Sequence, residues 1–129
     1  MVNIILVSHG NLASSLLETA SDICCFDRKY VYALSVKDGG IEVISKRIVA
    51  LAKQGEVLVL ADTFGGSCCN TALSCSNGLN NVRVVCGVNL NMLLAVLNNM
   101  QRLSLKELSQ KAVDDGKKAV FNATEIVKQ

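Results

Sequence analysis

The chain has 129 residues, half of them hydrophobic, and its formal net charge is only +2. This length is typical of one domain with a sizeable core, so we expect a single domain over residues 1–129. Basic runs are absent from the sequence and aromatic residues are few, which argues against nucleic-acid binding. No apolar stretch reaches the ~20 residues of a membrane helix, and the N-terminus lacks the basic start of a signal peptide, so we expect a cytoplasmic protein.

Strand and helix patterns alternate along the chain. Short continuous apolar runs indicate strands covered on both faces, and apolar residues at helical spacing indicate the helices between them. In chain order we predict strand 3–8, helix 12–23, strand 29–36, helix 40–54, strand 56–62, helix 68–79, strand 81–88, helix 89–100 and helix 104–120. Asn11 is the predicted N-cap of the first helix, and Ser104 with Glu107 form the predicted capping box of the last. The tail is ambiguous, and residues 119–123 are a candidate fifth strand at the sheet edge.

This alternation predicts an α/β fold, with a mainly parallel sheet and helices on both faces. In such sheets ligands bind at the carboxyl ends of the strands, near the point where the strand order reverses. In the common order 2-1-3-4, strands 1 and 3 are neighbours at that point. His9, the single histidine, follows strand 1, and Asp62 follows strand 3. We therefore expect the two side chains to face each other across a crevice.

An imidazole beside a carboxylate is a candidate nucleophile. A carboxylate that accepts a hydrogen bond from one ring nitrogen fixes the tautomer and leaves the other nitrogen its lone pair. No serine or cysteine lies on a G-x-S-x-G turn, so His9 itself is the better candidate. Gly65 and Gly66 allow a tight turn with free N–H groups, and Ser67 can cap the next helix, which together favour an anion site. Each feature alone is more typical of packing or a turn; their combination predicts a phosphohistidine.

The cysteines are predicted to be reduced, mostly buried thiols. Two adjacent pairs are a poor framework for disulfides, because neighbouring residues rarely meet disulfide geometry. No C-x-x-C occurs, and the histidine is far along the chain from any ligand-like spacing, so no zinc site is expected. Two of the six cysteines, Cys68 and Cys69, fall in the Gly-rich loop and are the possible exceptions to burial. The other four are Cys24, Cys25, Cys75 and Cys86.

Three motifs carry a resemblance to a known family: "ILVSHG" at 5–10, "DTFGGSCCN" at 62–70 and "GVNLNMLL" at 87–94. The second is similar to D-x-F-G-G-S/T-P-x-N and the third to G-x-N-x-P-M-L-L. With these motifs in matching order and spacing, the whole chain resembles the IIA component of the mannose-type branch (mannose, fructose, sorbose) of the bacterial sugar phosphotransferase system. Cys68 and Asn91 stand where the family has proline, and the loss at Cys68 should loosen the entry to the following helix.

The resemblance implies a phosphoryl relay. His9 would accept a phosphoryl group from the phosphocarrier protein HPr, on Nε2, and pass it to a histidine of a IIB component, which serves the membrane components IIC and IID. Asp62 would hold Nδ1–H, and Gly65, Gly66 and Ser67 would contact the phosphoryl oxygens. The resemblance also implies a homodimer that exchanges a C-terminal strand, which would explain the ambiguous tail. No metal or other cofactor is expected, and without a P-loop lysine direct use of ATP is not expected.

The residues are also compatible with two other functions. One is the related phosphotransfer subunit of a dihydroxyacetone kinase, which shares the fold and the histidine after strand 1. The other is a non-catalytic regulatory domain of the same fold. The F-G-G-S-x-x-N motif favours the sugar-transport branch, and the presence of both His9 and Asp62 speaks against a degenerate regulator. The identity of the sugar does not follow from this chain, because sugar choice belongs to the membrane components.

Overall fold

A parallel sheet with helices on both faces is the framework of the computed structural model, which describes residues 1–128. The strands are β1 (Asn3–Ser8), β2 (Val31–Ser35), β3 (Val57–Ala61) and β4 (Val82–Cys86). The helices are α1 (Leu12–Ile23), α2 (Ile41–Gln54), α3 (Ser67–Ser76), α4 (Leu90–Asn99), α5 (Leu105–Lys118) and α6 (Ala123–Val127), with 3-10 turns at Arg28–Tyr30 and Val36–Asp38. None of the helices in the described residues is both long and apolar enough to cross a membrane.

The strand order is β2-β1-β3-β4, and every neighbouring pair is parallel. This confirms the predicted α/β class and the predicted order 2-1-3-4. The order reverses between β1 and β3, where Val7 lies opposite Ala61 in the register. Just beyond, the Asp62 backbone N–H donates to the Val7 carbonyl at 3.2 Å. The two chain segments that leave β1 and β3 therefore begin side by side.

The core has two layers, one on each face of the sheet. Alternate residues of β1 and β3 point to opposite faces, as the two-residue period of a strand requires. Ile4, Leu6, Leu58 and Leu60 pack toward α1, α4 and α5. On the other face, buried residues of the same strands pack toward α2 and α3: Ile5, Val7, Val57 and Val59. Burial on both faces explains why these strands are apolar throughout.

The start of α1 differs from its prediction. Asn11 occupies the N-cap position but makes no side-chain capping bond, and its amide oxygen accepts from Lys37 Nζ instead. The buried Ser8 hydroxyl accepts from the Ala13 backbone N–H at 2.8 Å. The predicted N-cap position is therefore confirmed, but Ser8 supplies the side-chain bond, because Gly10, with φ +55°, turns the chain back over the end of β1 and brings Ser8 under the first helical turn. The capping box of α5 is confirmed, with reciprocal bonds between Ser104 and Glu107.

The tail forms no strand within the described residues of the single chain. Ala119 ends α5, and Asn122 caps α6 by accepting from the Thr124 backbone N–H at 3.1 Å. Within the described residues of one chain, the tail pairs with neither edge strand of the sheet, β2 or β4. A strand exchanged with a second copy of the chain therefore stays a prediction. The last residue of the expected domain, Gln129, lies outside the described residues.

Cys69 and Cys86 form a disulfide that joins α3 to the end of β4, with a Cα–Cα distance of 6.7 Å. Cys24, Cys25, Cys68 and Cys75 are free. The prediction of six reduced thiols was therefore wrong for this pair. Adjacent cysteines rarely bond to each other, but the fold packs α3 against β4 and so brings together two cysteines that are 17 positions apart.

Candidate active site

His9 is the first residue after β1 and sits at the carboxyl edge of the sheet. Its side chain is 53% exposed. Gly10 follows in a left-handed conformation that lets the chain turn away without covering the imidazole. The rigid, fully buried strand fixes the backbone of His9, while its ring stays accessible to a partner from solvent.

Asp62 holds His9 through both its backbone and its ring. Asp62 Oδ2 accepts from the His9 backbone N–H at 2.9 Å and lies 2.8 Å from His9 Nδ1. Asp62 Oδ1 accepts from the Thr63 backbone N–H at 2.9 Å. An ionised carboxylate can only accept, so the ring hydrogen lies on Nδ1 and Nε2 carries the lone pair.

The Asp62 carboxylate is strongly biased toward its charged form, although its side chain is only 7% exposed. Burial raises the pKa of Asp62, but the hydrogen bonds from His9 and from the Thr63 backbone outweigh burial and hold that pKa below its usual value. An acceptor that is charged at neutral pH favours the imidazole tautomer with its hydrogen on Nδ1.

Ser67 contacts the other ring nitrogen. Its Oγ lies 3.0 Å from His9 Nε2, and the hydroxyl donates to the lone pair there. The prediction that Ser67 caps α3 was wrong: Gly66 occupies the N-cap position and Ser67 is the first helical residue. As a result the hydroxyl is directed at the imidazole, at the place where a group added to Nε2 would lie.

The glycine turn is packed closely against the imidazole. Gly65 has φ +84°, which favours glycine. A Cβ on Gly66 would lie 2.8 Å from Thr63 Oγ1 and 3.3 Å from His9 Cε1. Because Gly66 has no side chain, the imidazole of His9 can lie next to the turn without a clash. The fold thus brings His9, Asp62 and Ser67 into direct contact, with Gly65 and Gly66 lining the same site.

Two further residues support this turn and were not predicted as site residues. The Asn70 side-chain amide donates to the Gly65 carbonyl at 3.3 Å, and the Asn70 backbone N–H donates to the Gly66 carbonyl at 3.0 Å. Thr63 holds the outer oxygen of Asp62. Asn70 is the last residue of the quoted motif "DTFGGSCCN", so its place in the motif was the signal that could have found it.

Cys68 also lies at the site but is not suited to act as a nucleophile. Its side chain is buried in the first turn of α3. Burial, and after it the negative charge of Asp62, raise the pKa of the Cys68 thiol to about 11. The thiol is therefore protonated at neutral pH, and Nε2 of His9 is the better nucleophile of the two.

Comparison with known proteins gives this geometry a context. The family model EIIA-man, described as PTS system fructose IIA component, matches residues 3–113. The chain is 30% identical over 112 residues to the PTS system fructose-specific EIIA component of Bacillus subtilis (strain 168). The aligned region covers 84% of this chain and 77% of that protein.

Solved structures agree over nearly the whole chain. Phosphotransferase system component EIIA from Streptococcus agalactiae matches with a TM-score of 0.86 at 22% identity, covering 97% of this chain and 99% of that one, and shows the shared fold. The mannose/sorbose specific IIA subunit from Enterococcus faecalis matches with a TM-score of 0.74 at 28% identity, covering 93% and 92%. Because the family model spans most of the sequence, the chain belongs to the mannose/fructose EIIA family of the sugar phosphotransferase system, a family of phosphoryl relays.

Proposed function

We propose that this chain accepts a phosphoryl group from HPr on Nε2 of His9 and passes it to a IIB component. The observation that supports this is the hydrogen-bonded line Asp62–His9–Ser67, in which Nδ1 is held by a carboxylate and Nε2 is the free nucleophile. In the transfer, the Nε2 lone pair attacks phosphorus as the bond between phosphorus and the donor breaks. Passing the group to IIB reverses this step on a new acceptor.

The surrounding groups suit the charges that develop. A phosphorylated imidazole that keeps its hydrogen on Nδ1 is cationic, and the Asp62 carboxylate at 2.8 Å stabilises that charge. The phosphoryl oxygens would lie against the start of α3, where backbone N–H groups after Gly65 and Gly66 and the Ser67 hydroxyl can donate to them. Phosphoryl transfer depends mainly on such positioning and charge stabilisation.

The proposal extends to the substrate and the setting. The sugar would be of the mannose, fructose, sorbose or amino-sugar type, and it would enter through the membrane components IIC and IID that IIB serves. Two of the compared proteins carry fructose and mannose/sorbose in their names, which supports this class. The chain would act as a single cytoplasmic domain in a homodimer.

The test is phosphorylation of the purified chain with phosphoenolpyruvate, Enzyme I and HPr. We expect a mass gain of one phosphoryl group that is lost on acid treatment, and its disappearance in His9→Ala. Adding IIB to the isolated phosphoprotein should discharge it. No mass gain, or a gain that persists in His9→Ala, would disprove the relay on His9.

A further inference from the structure

Three side chains of different chemistry converge at the edge of the sheet. His9, Asp62 and Cys68 each offer one ligand atom, and these nitrogen, oxygen and sulfur atoms all lie within 4.8 Å of one another. They come from three separate elements: the end of β1, the end of β3 and the first turn of α3. A set of imidazole, carboxylate and thiolate is typical of zinc sites.

The site has the form of an open metal centre. Zinc sites with three protein ligands keep a fourth, tetrahedral position for water. The Cys68 and Asp62 side chains supply a buried floor, and the half-exposed imidazole of His9 leaves the outer side open to solvent. The His9 side chain is 53% exposed, so its outer side is in contact with solvent rather than with the core.

Cys68 is available for this role, whereas its neighbour is not. Cys69 is bonded to Cys86, and Cys68 is a free cysteine. Cys68 also occupies the position at which the family pattern has proline, so the sulfur ligand belongs to this chain's own sequence. The proposed relay needs Asp62 and His9 but gives the Cys68 thiol no task.

We propose that His9, Asp62 and Cys68 form a binding site for a thiophilic divalent cation, Zn²⁺ being the best fit, and that the bound metal blocks phosphorylation of His9. The second half rests on the proposed relay function; the first half does not. The cation would replace the hydrogen bond between His9 Nδ1 and Asp62 Oδ2, which are 2.8 Å apart. Because tetrahedral zinc holds two ligand atoms about 3.3 Å apart, the imidazole would have to move away from the carboxylate by about 0.5 Å.

The proton balance explains the block. When Zn²⁺ binds Nδ1, the ring hydrogen moves from Nδ1 to Nε2, and the Cys68 thiol releases its proton to solvent as the sulfur–zinc bond forms. Nε2 then carries a hydrogen and donates to Ser67 Oγ instead of accepting from it. With no lone pair on Nε2, the imidazole cannot attack phosphorus.

The binding test uses the metal alone. Zinc titration of the wild type, monitored by competition with a chromophoric chelator, should show one ion per chain. Cys68→Ala should weaken binding at least tenfold, whereas Cys75→Ala, which removes a free thiol elsewhere, should leave it unchanged. Co²⁺ should give a thiolate-to-metal charge-transfer band that Cys68→Ala abolishes. Equal affinity in wild type and Cys68→Ala, or no such band, would overturn the site.

The second test measures the block itself. Isolated phosphorylated HPr is mixed with each variant, with and without Zn²⁺, in a single transfer step. We expect Zn²⁺ to slow transfer to the wild type at least tenfold and to leave Cys68→Ala unaffected, which also controls for zinc acting on HPr. Zinc binding with unchanged transfer would overturn the block. Failure of every variant to accept the group without metal would refute the relay function and leave the binding result standing.

Discussion

Asp62 is the residue on which the orientation of His9 depends. Its Oδ2 accepts hydrogen bonds from the backbone N–H and from Nδ1 of His9, and its Oδ1 accepts one from the Thr63 backbone N–H. The carboxylate thus does two things at once: it joins the ends of β1 and β3, and it selects the tautomer that leaves Nε2 nucleophilic.

Asp62→Asn should fold and should lower the rate of phosphorylation by about 10–100-fold, the usual effect of losing a residue that orients a reactive imidazole. An amide can turn its NH₂ toward Nδ1 and so favour the wrong tautomer, and it carries no charge to stabilise the phosphorylated ring. Stopped transfer reactions with phosphorylated HPr give the rate, and circular dichroism checks the fold. A rate equal to that of the wild type would remove Asp62 from this role.

Gly66→Ala should disturb the site directly. The added Cβ would meet Thr63 Oγ1 at 2.8 Å and His9 Cε1 at 3.3 Å. We expect a loss of stability of about 1–3 kcal/mol, as for other cases of overpacking, together with slower phosphorylation. Gly55→Ala is the matched control, because a Cβ there meets nothing within 4 Å. Similar denaturation midpoints and transfer rates for the two variants would contradict the close packing described here.

At the scale of elements, α3 connects the candidate active site to the rest of the fold. Its first residue, Ser67, contacts the imidazole, its second, Cys68, is buried beside the site, and its third, Cys69, is bonded to the end of β4. The disulfide thus ties the start of the helix to the sheet, at the turn where the family pattern would have a stiffening proline.

Reduction of the Cys69–Cys86 disulfide should lower the free energy of unfolding by about 3 kcal/mol, the value typical of a loop of this length. Urea denaturation with and without a phosphine reductant measures this difference. Thiol titration of the unfolded, unreduced chain should find four free cysteines, and six after reduction. Cys86→Ala should respond little to reductant; a response as large as that of the wild type would show that the reductant acts elsewhere.

At the scale of the whole molecule, the tail that follows α5 carries several exposed apolar side chains. Val120 is 80% exposed and Val127 83%, with Phe121 and Ile126 also exposed. Such a patch is typical of an interaction surface. It suits the expected homodimer, in which the segment after α5 would pair with the sheet edge of a second copy.

Light scattering should therefore give twice the mass of one chain for the wild type. Val120→Asp combined with Phe121→Asp should shift the protein toward monomer, because two charges would be buried without partners in the interface. Lys117→Asp is the control for added acidic charge on the neighbouring helix end. A monomeric wild type, or a double variant that stays fully dimeric, would contradict the exchange.

The strand order was expected as the common order of sheets of this class, and it is confirmed. The fold class itself followed from the sequence, because the apolar runs of β1 and β3 are continuous and the helical stripes between them are regular. These patterns are local, and a strand that is apolar throughout indicates a sheet covered by helices on both faces. The capping box at Ser104 and Glu107 is equally local, since both residues lie within one turn. The three motifs likewise indicated the family, because each is a short run of neighbouring residues.

The contact of His9 with Asp62 was expected from the strand order, but the other contacts between distant segments were decided by the tertiary structure. Asn11 is the N-cap residue of α1, but Ser8 makes the side-chain bond to the first turn, because the turn at Gly10 folds the helix back over the strand. Cys69 meets Cys86 because α3 packs on β4. The distance along the chain between the histidine and the cysteines argued against a metal site. Because parallel strands end at the same edge of the sheet, however, His9, Asp62 and Cys68 lie close together there. The sequence alone determined which groups could react; the packing of separate elements decided which of them meet.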